Sequence, residues 1–185
     1  MAQKTAYKVE HAKAPRAAGK TDSITIMVVD DDALVVEFLE EYLKRSNYRV
    51  NSALSGEDAI SSLGQSSCDI MLVDLKMPGL DGLQTIEKIT KIDSDIVTIL
   101  MTGFPTIDSS VKAIRLGASD YILKPFKLDD IDLAVKKAVH EREVRQDMKN
   151  LRERVSELEQ GISENKKQIT LNHKVGSMAS ANDKS

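Results

Sequence analysis

Asp30, Asp31 and Asp32 follow one apolar run, "ITIMVV" (24–29), and Asp74 follows another, "DIMLV" (69–73), just ahead of Lys76-Met77-Pro78-Gly79. A carboxylate at the end of a buried strand is costly to hold unless something compensates its charge. Two more apolar runs end in groups of complementary chemistry: "DIVTILM" (95–101) in Thr102-Gly103, and "YIL" (121–123) in Lys124-Pro125. Acids brought from two strands to one edge repel and raise each other's pKa unless a cation sits between them, so a divalent ion is implied. Oxygen-only ligands, with no His or Cys at any strand end, select Mg²⁺, or Mn²⁺ in its place, over zinc. Beside such an ion, an ammonium and a hydroxyl, a carboxylate is equipped to attack phosphorus, with the metal and Lys124 neutralising charge on the transferring oxygens. The expected product is an aspartyl phosphate on Asp74.

Bringing four strand ends to one place requires a sheet, and the intervening segments supply the means. "ALVVEFLEEYLKRS" (33–46) predicts a helix with Leu34, Phe38, Leu39, Tyr42 and Leu43 on one face, and "YRVNSA" (48–53) alternates as a strand. Ser55 and Asp58 stand at capping-box spacing ahead of a helix through Leu63. Further helices are predicted over 83–92, over 106–117 with Gly117 closing it, and over 128–141. Strands and helices alternate five times, and several strands are apolar on both faces, as a parallel sheet covered by helices requires. The expected architecture is a doubly wound five-stranded parallel α/β sheet with right-handed crossovers. In such sheets ligands bind outside the carboxyl ends of the strands, where strand order reverses.

Each residue also has a plainer reading. Asp32 would cap the helix that follows it, Asp74 and Asp81-Gly82 would form turns, Tyr121 would be a packed aromatic, and Lys124 a solvated lysine. Those readings together require four coincidences at four strand ends.

"MVVDDD", "LVDLKMPGLDG", "ILMTG" and "GASDYILKPF" resemble, in order and spacing, the signature segments of the response-regulator receiver domain of two-component signalling, over about residues 23–141. The resemblance implies a flavodoxin-like fold and assigns roles by position. Asp74 is then the phosphoacceptor, Asp31 a direct metal ligand, Asp30 a carboxylate acting through metal-bound water, and the Lys76 backbone carbonyl a third metal contact. Thr102 is the hydroxyl that moves to bond the phosphoryl group, Lys124 the cation that contacts it, and Tyr121 the ring that swings inward on activation. It also implies a cis Lys124-Pro125 bond, a histidine kinase or phosphotransfer protein as donor, and a downstream protein as target. No enzymatic activity beyond self-phosphotransfer and autodephosphorylation is expected. Lys76 occupies a position that modulates hydrolysis in this family, and Phe104, two residues after Thr102, is bulky and apolar, so altered water access and slowed self-dephosphorylation are expected. A haloacid-dehalogenase-like phosphatase, with Asp30 and Asp32 as nucleophile and acid, is the enzymatic alternative, but it leaves Asp74 unexplained. A scaffold of receiver fold that signals without phosphate leaves the clustered acids unexplained.

The remaining sequence frames this domain. Residues 1–22, with five basic residues against two acids, are expected to be a flexible basic arm. A net charge of -3 argues against direct nucleic-acid binding, and no apolar run is long enough to span a membrane. One cysteine, Cys68, excludes an internal disulfide and fits a cytoplasmic location. After residue 141 the last helix extends over 142–164, where Val144, Met148, Leu151, Val155, Leu158 and Ile162 recur at heptad spacing and predict a signalling helix that pairs either with itself, as a homodimer through 144–162, or with a partner. Gly161 and Asn165 are expected to end that seam, leaving 165–185 as a disordered tail. The segment around His173 has a faint likeness to the phosphoacceptor segment of sensor kinases, with Lys174 where an acid normally stands.

Overall fold

The computed structural model describes the backbone of residues 24–182 and the side chains of residues 24–167. The expected N-terminal arm and the side chain of His173 lie outside the described residues. The chain divides into two compact units, one ending at Arg142 and the other beginning at Glu143.

The first unit contains β1 (Thr25–Val29), α1 (Ala33–Arg45), β2 (Arg49–Ala53), α2 (Gly56–Leu63), β3 (Ile70–Asp74), α3 (Gly82–Ile92), β4 (Val97–Thr102), α4 (Ile107–Arg115), β5 (Asp120–Leu123) and the first part of α5 (Leu128–Asn182). The five strands form one sheet in the order β2-β1-β3-β4-β5, and every pairing is parallel. Strand order therefore reverses at β1, between β2 and β3.

Alternation of side chains across the strands builds two apolar layers. Ile26, Val28, Ile70 and Leu72 pack with α1 and α5, whereas Met27, Val29, Met71 and Val73 pack with residues of α2, α3 and α4. Every residue of β1 and β3 is buried, which is why their sequences are apolar without alternation. The register pairs Val29 with Val73 and Asp74 with Met101. Asp30 and Asp74, each one residue beyond a paired valine, therefore reach the same edge at the same height.

Local chemistry sets the helix boundaries. Asp32 caps α1 by accepting the Leu34 N–H at 2.9 Å, as expected. Ser55 caps α2, but Asp58 accepts the Ser55 hydroxyl rather than the cap N–H, so only half of the expected capping box forms. Asp lacks the extra methylene with which Glu or Gln reaches back. Complete boxes instead open α3, through Asp81 and Gln84, and α4, through Thr106 and Ser109. Gly117 closes α4 with φ +80, as expected. On α1 the core face is rotated from the expected one: Val35, Val36, Leu39 and Leu43 are buried, Phe38 and Tyr42 flank them, and Leu34 is 71% exposed. Cys68 is buried in the core, and burial pushes its thiol up to about 12.

The second unit is helical from Glu143 to Asn182. The backbone stays helical through Gly161 and Asn165, the residues expected to end the apolar seam. A single glycine costs a helix about 1 kcal/mol relative to Ala, and Glu164, Lys166, Lys167 and Gln168 are favourable helix formers. Among the described residues no helix is long and apolar enough to cross a membrane.

Candidate functional site

Asp30 leaves β1 with its backbone still laddered, its N–H donating to Ala53 O at 3.2 Å. Its side chain is turned into the sheet edge and is 1% exposed. Oδ1 accepts the Asp32 N–H at 3.1 Å, and Oδ2 accepts Lys124 Nζ at 2.5 Å. Asp74, the last residue of β3, is 4% exposed. Its Oδ1 accepts Lys124 Nζ at 2.5 Å and its Oδ2 accepts the Lys76 N–H at 2.6 Å. Asp31 is exposed, and one carboxylate oxygen from each of Asp30, Asp31 and Asp74 lies within 4.8 Å of the others. Lys124 arrives from the end of β5, its N–H donating to Thr102 O at 2.7 Å, and the bond to Pro125 is cis, as expected.

Three carboxylates against one ammonium leave the cluster with two negative charges in excess, which suits a divalent cation held by oxygen ligands. The titration behaviour of the two ion-paired groups carries the same imbalance. Burial opposes the charge of Lys124, but hydrogen bonds to Asp30 and Asp74 outweigh it and hold the ammonium above its ordinary range. Burial raises the carboxyl of Asp30, and Lys124 offsets only part of that rise. One ammonium divided between two carboxylates is well satisfied itself, while the more buried carboxylate is not.

The loop after Asp74 is held closely. Leu75 N–H donates to Met101 O at 2.8 Å, Gly82 N–H to Leu75 O at 3.0 Å, and Leu80 N–H to Glu57 Oε1 at 3.0 Å. Gly82, the first residue of α3, lies so near the strand end that a Cβ there would stand 2.3 Å from the Asp74 carbonyl oxygen. The Asp81-Gly82 pair therefore opens a helix against the backbone of Asp74, where the sequence suggested a turn. From sequence, Gly82 reads only as part of a turn and Glu57 goes unnamed; the Asp81-x-x-Gln84 spacing is the available signal for the helix start.

Thr102 is fully buried at the end of β4, its Oγ1 accepting the Phe104 N–H at 3.1 Å, while Phe104 itself is 73% exposed. Tyr121 is half-buried, and its hydroxyl lies 3.1 Å from Ser109 Oγ on α4. Asp30, Asp31, Asp74 and Lys124 are thus one contact cluster, while Thr102 and Tyr121 stand on the neighbouring strands with their hydroxyls engaged elsewhere. Lys76 enters through its backbone, with an exposed side chain. Ser109 also escaped the sequence reading, although Thr106-x-x-Ser109 has capping spacing.

The parallel sheet gathers three acids and a lysine at its carboxyl edge, beside the point where strand order reverses, which is where open α/β sheets bind ligands. The response regulator receiver domain matches residues 26–136, and the chain belongs to that family. Transcriptional regulatory protein ZraR of Salmonella typhimurium is 35% identical over 121 residues, covering 65% of this chain and 27% of ZraR. The C4-dicarboxylate transport transcriptional regulatory protein DctD of Rhizobium meliloti is 30% identical over 138 residues, covering 75% of this chain and 30% of DctD. The chain thus spans less than a third of the length of these curated relatives. A CheY-like receiver domain protein from Methanospirillum hungatei superposes with a TM-score of 0.64 at 26% identity, covering 66% of this chain and 98% of that one. Response regulator TrrA from Thermotoga maritima, solved in complex with Mg²⁺-BeF, gives 0.57 at 31% identity, covering 62% of this chain and 98% of that one. Membership of this family makes residues 26–136 a receiver domain of the response-regulator type, consistent with phosphorylation-activated signalling.

Proposed function

We propose that Asp74 is the phosphoacceptor of this receiver, taking its phosphoryl group from a histidine kinase or phosphotransfer protein and passing the signal to a downstream protein by contact. The observation that carries this reading is the single ammonium of Lys124 held at 2.5 Å from both Asp30 and Asp74, beside a third carboxylate. Nothing in folding calls for that arrangement. A phosphatase built on Asp30 and Asp32 finds little support, because Asp32 is engaged as the cap of α1.

In the transfer, an Asp74 oxygen bonds to phosphorus as the phosphorus–nitrogen bond of the donor imidazole breaks; the leaving nitrogen keeps the electron pair and is protonated. Lys76 N–H fixes the carboxylate rotamer, and Lys124 shifts a hydrogen bond from Asp74 to a phosphoryl oxygen. Asp31 and Asp74 would hold Mg²⁺, or Mn²⁺, with Asp30 through water and the Lys76 carbonyl completing the set; the ion supplies further neutralisation of the phosphoryl oxygens. Thr102 would then donate its hydroxyl proton to the phosphoryl group, and Tyr121 would leave Ser109 and turn inward. Such a switch is a shift between two packings of one structure. The cytoplasm is the compartment this donor class and the lone thiol of Cys68 suit.

The reading is tested by incubating the chain with acetyl phosphate and Mg²⁺. A hydroxylamine-sensitive phosphoryl adduct that maps to the peptide containing Asp74 is expected. An adduct on another residue, or none, overturns the proposal. A second expected result concerns lifetime. Lys76 is exposed two residues beyond Asp74, and Phe104 is exposed two beyond Thr102, so both can restrict the approach of water to the acyl phosphate. Lys76→Asn should shorten the half-life of the labelled protein severalfold in a phosphate-release assay, and an unchanged half-life removes Lys76 from the account.

A further inference from the structure

We propose that residues 144–162 form a parallel, in-register, two-stranded coiled coil with a second copy of this chain. The inference does not depend on phosphorylation and rests on the second unit alone. Val144, Met148, Leu151, Val155, Leu158 and Ile162 all lie on the helical backbone of that unit and are between 45% and 65% exposed. Their spacings of 4, 3, 4, 3 and 4 place them on one stripe, with Met148, Val155 and Ile162 at a and Val144, Leu151 and Leu158 at d. A polar helix has no reason to keep such a stripe unless another helix covers it.

The identity of the covering helix follows from the flanking charges. In a parallel in-register pair the g-to-e′ contacts are Asp147 with Arg152 and Arg154 with Glu159, each occurring twice, and all are attractive. An antiparallel pair that buries the same stripe sets Met148 against Leu158, Val155 against Leu151 and Ile162 against Val144. That alignment gains Arg145 with Glu159 twice, but it faces Arg152 with Arg152 and Arg154 with Arg154. Like charges cancel what the opposite charges contribute. The chain is therefore complementary to itself in the parallel sense. The choice of two strands follows from the core: β-branched Val155 and Ile162 at a, with Leu151 and Leu158 at d, are the pattern that favours dimers over trimers. Asn165, at the next d position, marks the end of the apolar stripe without ending the helix.

Sedimentation equilibrium of the full chain tests the proposal. The stripe is short, so a dimer in exchange with monomer is expected at micromolar concentration, and a monomer at every concentration up to roughly 100 μM overturns the inference. Arg154→Glu sets two like-charged contacts in the parallel dimer and should weaken association roughly tenfold. Glu159→Arg should do the same, and the two changes together should restore it. These residues are exposed, so loss of folding does not confound the comparison. A dimer indifferent to all three variants is held together elsewhere and also overturns the proposal. Orientation is read by cysteine pairing under mild oxidation, for which buried Cys68 does not compete. Leu151→Cys should form a disulfide with its own copy. If Leu151→Cys pairs with Val155→Cys and neither pairs with itself, the helices are antiparallel and the assignment fails.

Discussion

An Asp74→Asn chain is expected to accept no phosphoryl group from acetyl phosphate, yet to fold with a stability within about 1 kcal/mol of the parent when divalent metal is absent. The chemical part is all-or-none, because an amide oxygen lacks the charge and basicity of a carboxylate nucleophile. Near-neutral stability follows from opposed changes at one site. The amide keeps an oxygen for the Lys76 N–H but loses the charged contact with Lys124 Nζ at 2.5 Å. Against that loss, repulsion from Asp30 and Asp31 within 4.8 Å disappears, and a side chain that is 6% exposed no longer buries a charge. Metal response separates the two proteins more clearly. Ligand binding stabilises by RT ln(1 + [L]/Kd), about 2.7 kcal/mol at one hundred times Kd. The parent should gain that much on adding Mg²⁺ while the variant, with one ligand weakened, gains markedly less. Urea unfolding with and without Mg²⁺, beside the labelling assay, measures both. A variant that still labels, or whose metal response equals that of the parent, would remove Asp74 from its proposed role.

Much of this site was legible before any coordinates because its logic is one-dimensional. A strand buried on both faces is apolar throughout, so an acid at its end stands out, and parallel pairing brings such ends to one edge. Asp30, Asp31, Asp74 and Lys124 were visible for that reason, and their cluster is where strand order reverses. The cap at Asp32 was visible because its donor lies two residues away.

What was not legible depends on distances between segments remote in sequence. Gly82 looks like half of a turn until α3 is seen resting on the carbonyl of Asp74; no local rule reports that a Cβ there would stand 2.3 Å from an oxygen of another element. Leu34 fits a helical stripe as well as Val35 does, and only the position of the sheet selects which stripe is buried. The bond between Tyr121 and Ser109 joins a strand to a helix through side chains that look unremarkable alone. The helix runs on past Gly161 because good helix formers on either side outweigh the cost of one glycine.

Replacing Lys124 by Met, unlike the near-neutral Asp74 change, should lower stability by about 2–4 kcal/mol near neutral pH in the presence of a chelator. Methionine keeps the apolar stem and removes the charge, so the loss reports electrostatics rather than a cavity. Asp30 is 1% exposed and Asp74 4%, and without the ammonium they face one another and Asp31 with no counter-charge. Breaking a buried pair from one side costs about 3–5 kcal/mol, and the lower figure here allows for water reaching the 17% of the Lys124 side chain that is exposed. The pH dependence supplies an independent signature. In the parent, the raised carboxyl of Asp30 means that the native state binds a proton more readily than the unfolded chain, whose Asp titrates near 3.8. Stability from that group therefore rises as pH falls through the interval between its native value and 3.8. The raised ammonium of Lys124 acts at the other end: its contribution is full below 10.5 and disappears as pH climbs through the higher native value. Lys124→Met deletes that second contribution and pushes Asp30 further upward. The deficit relative to the parent should therefore be largest near neutrality and shrink toward about pH 5, and Mg²⁺ should recover part of it at neutral pH. A deficit that is the same at both pH values and with metal would mean that Lys124 serves the fold through its aliphatic stem, and that the shared ammonium is not what holds the two carboxylates together.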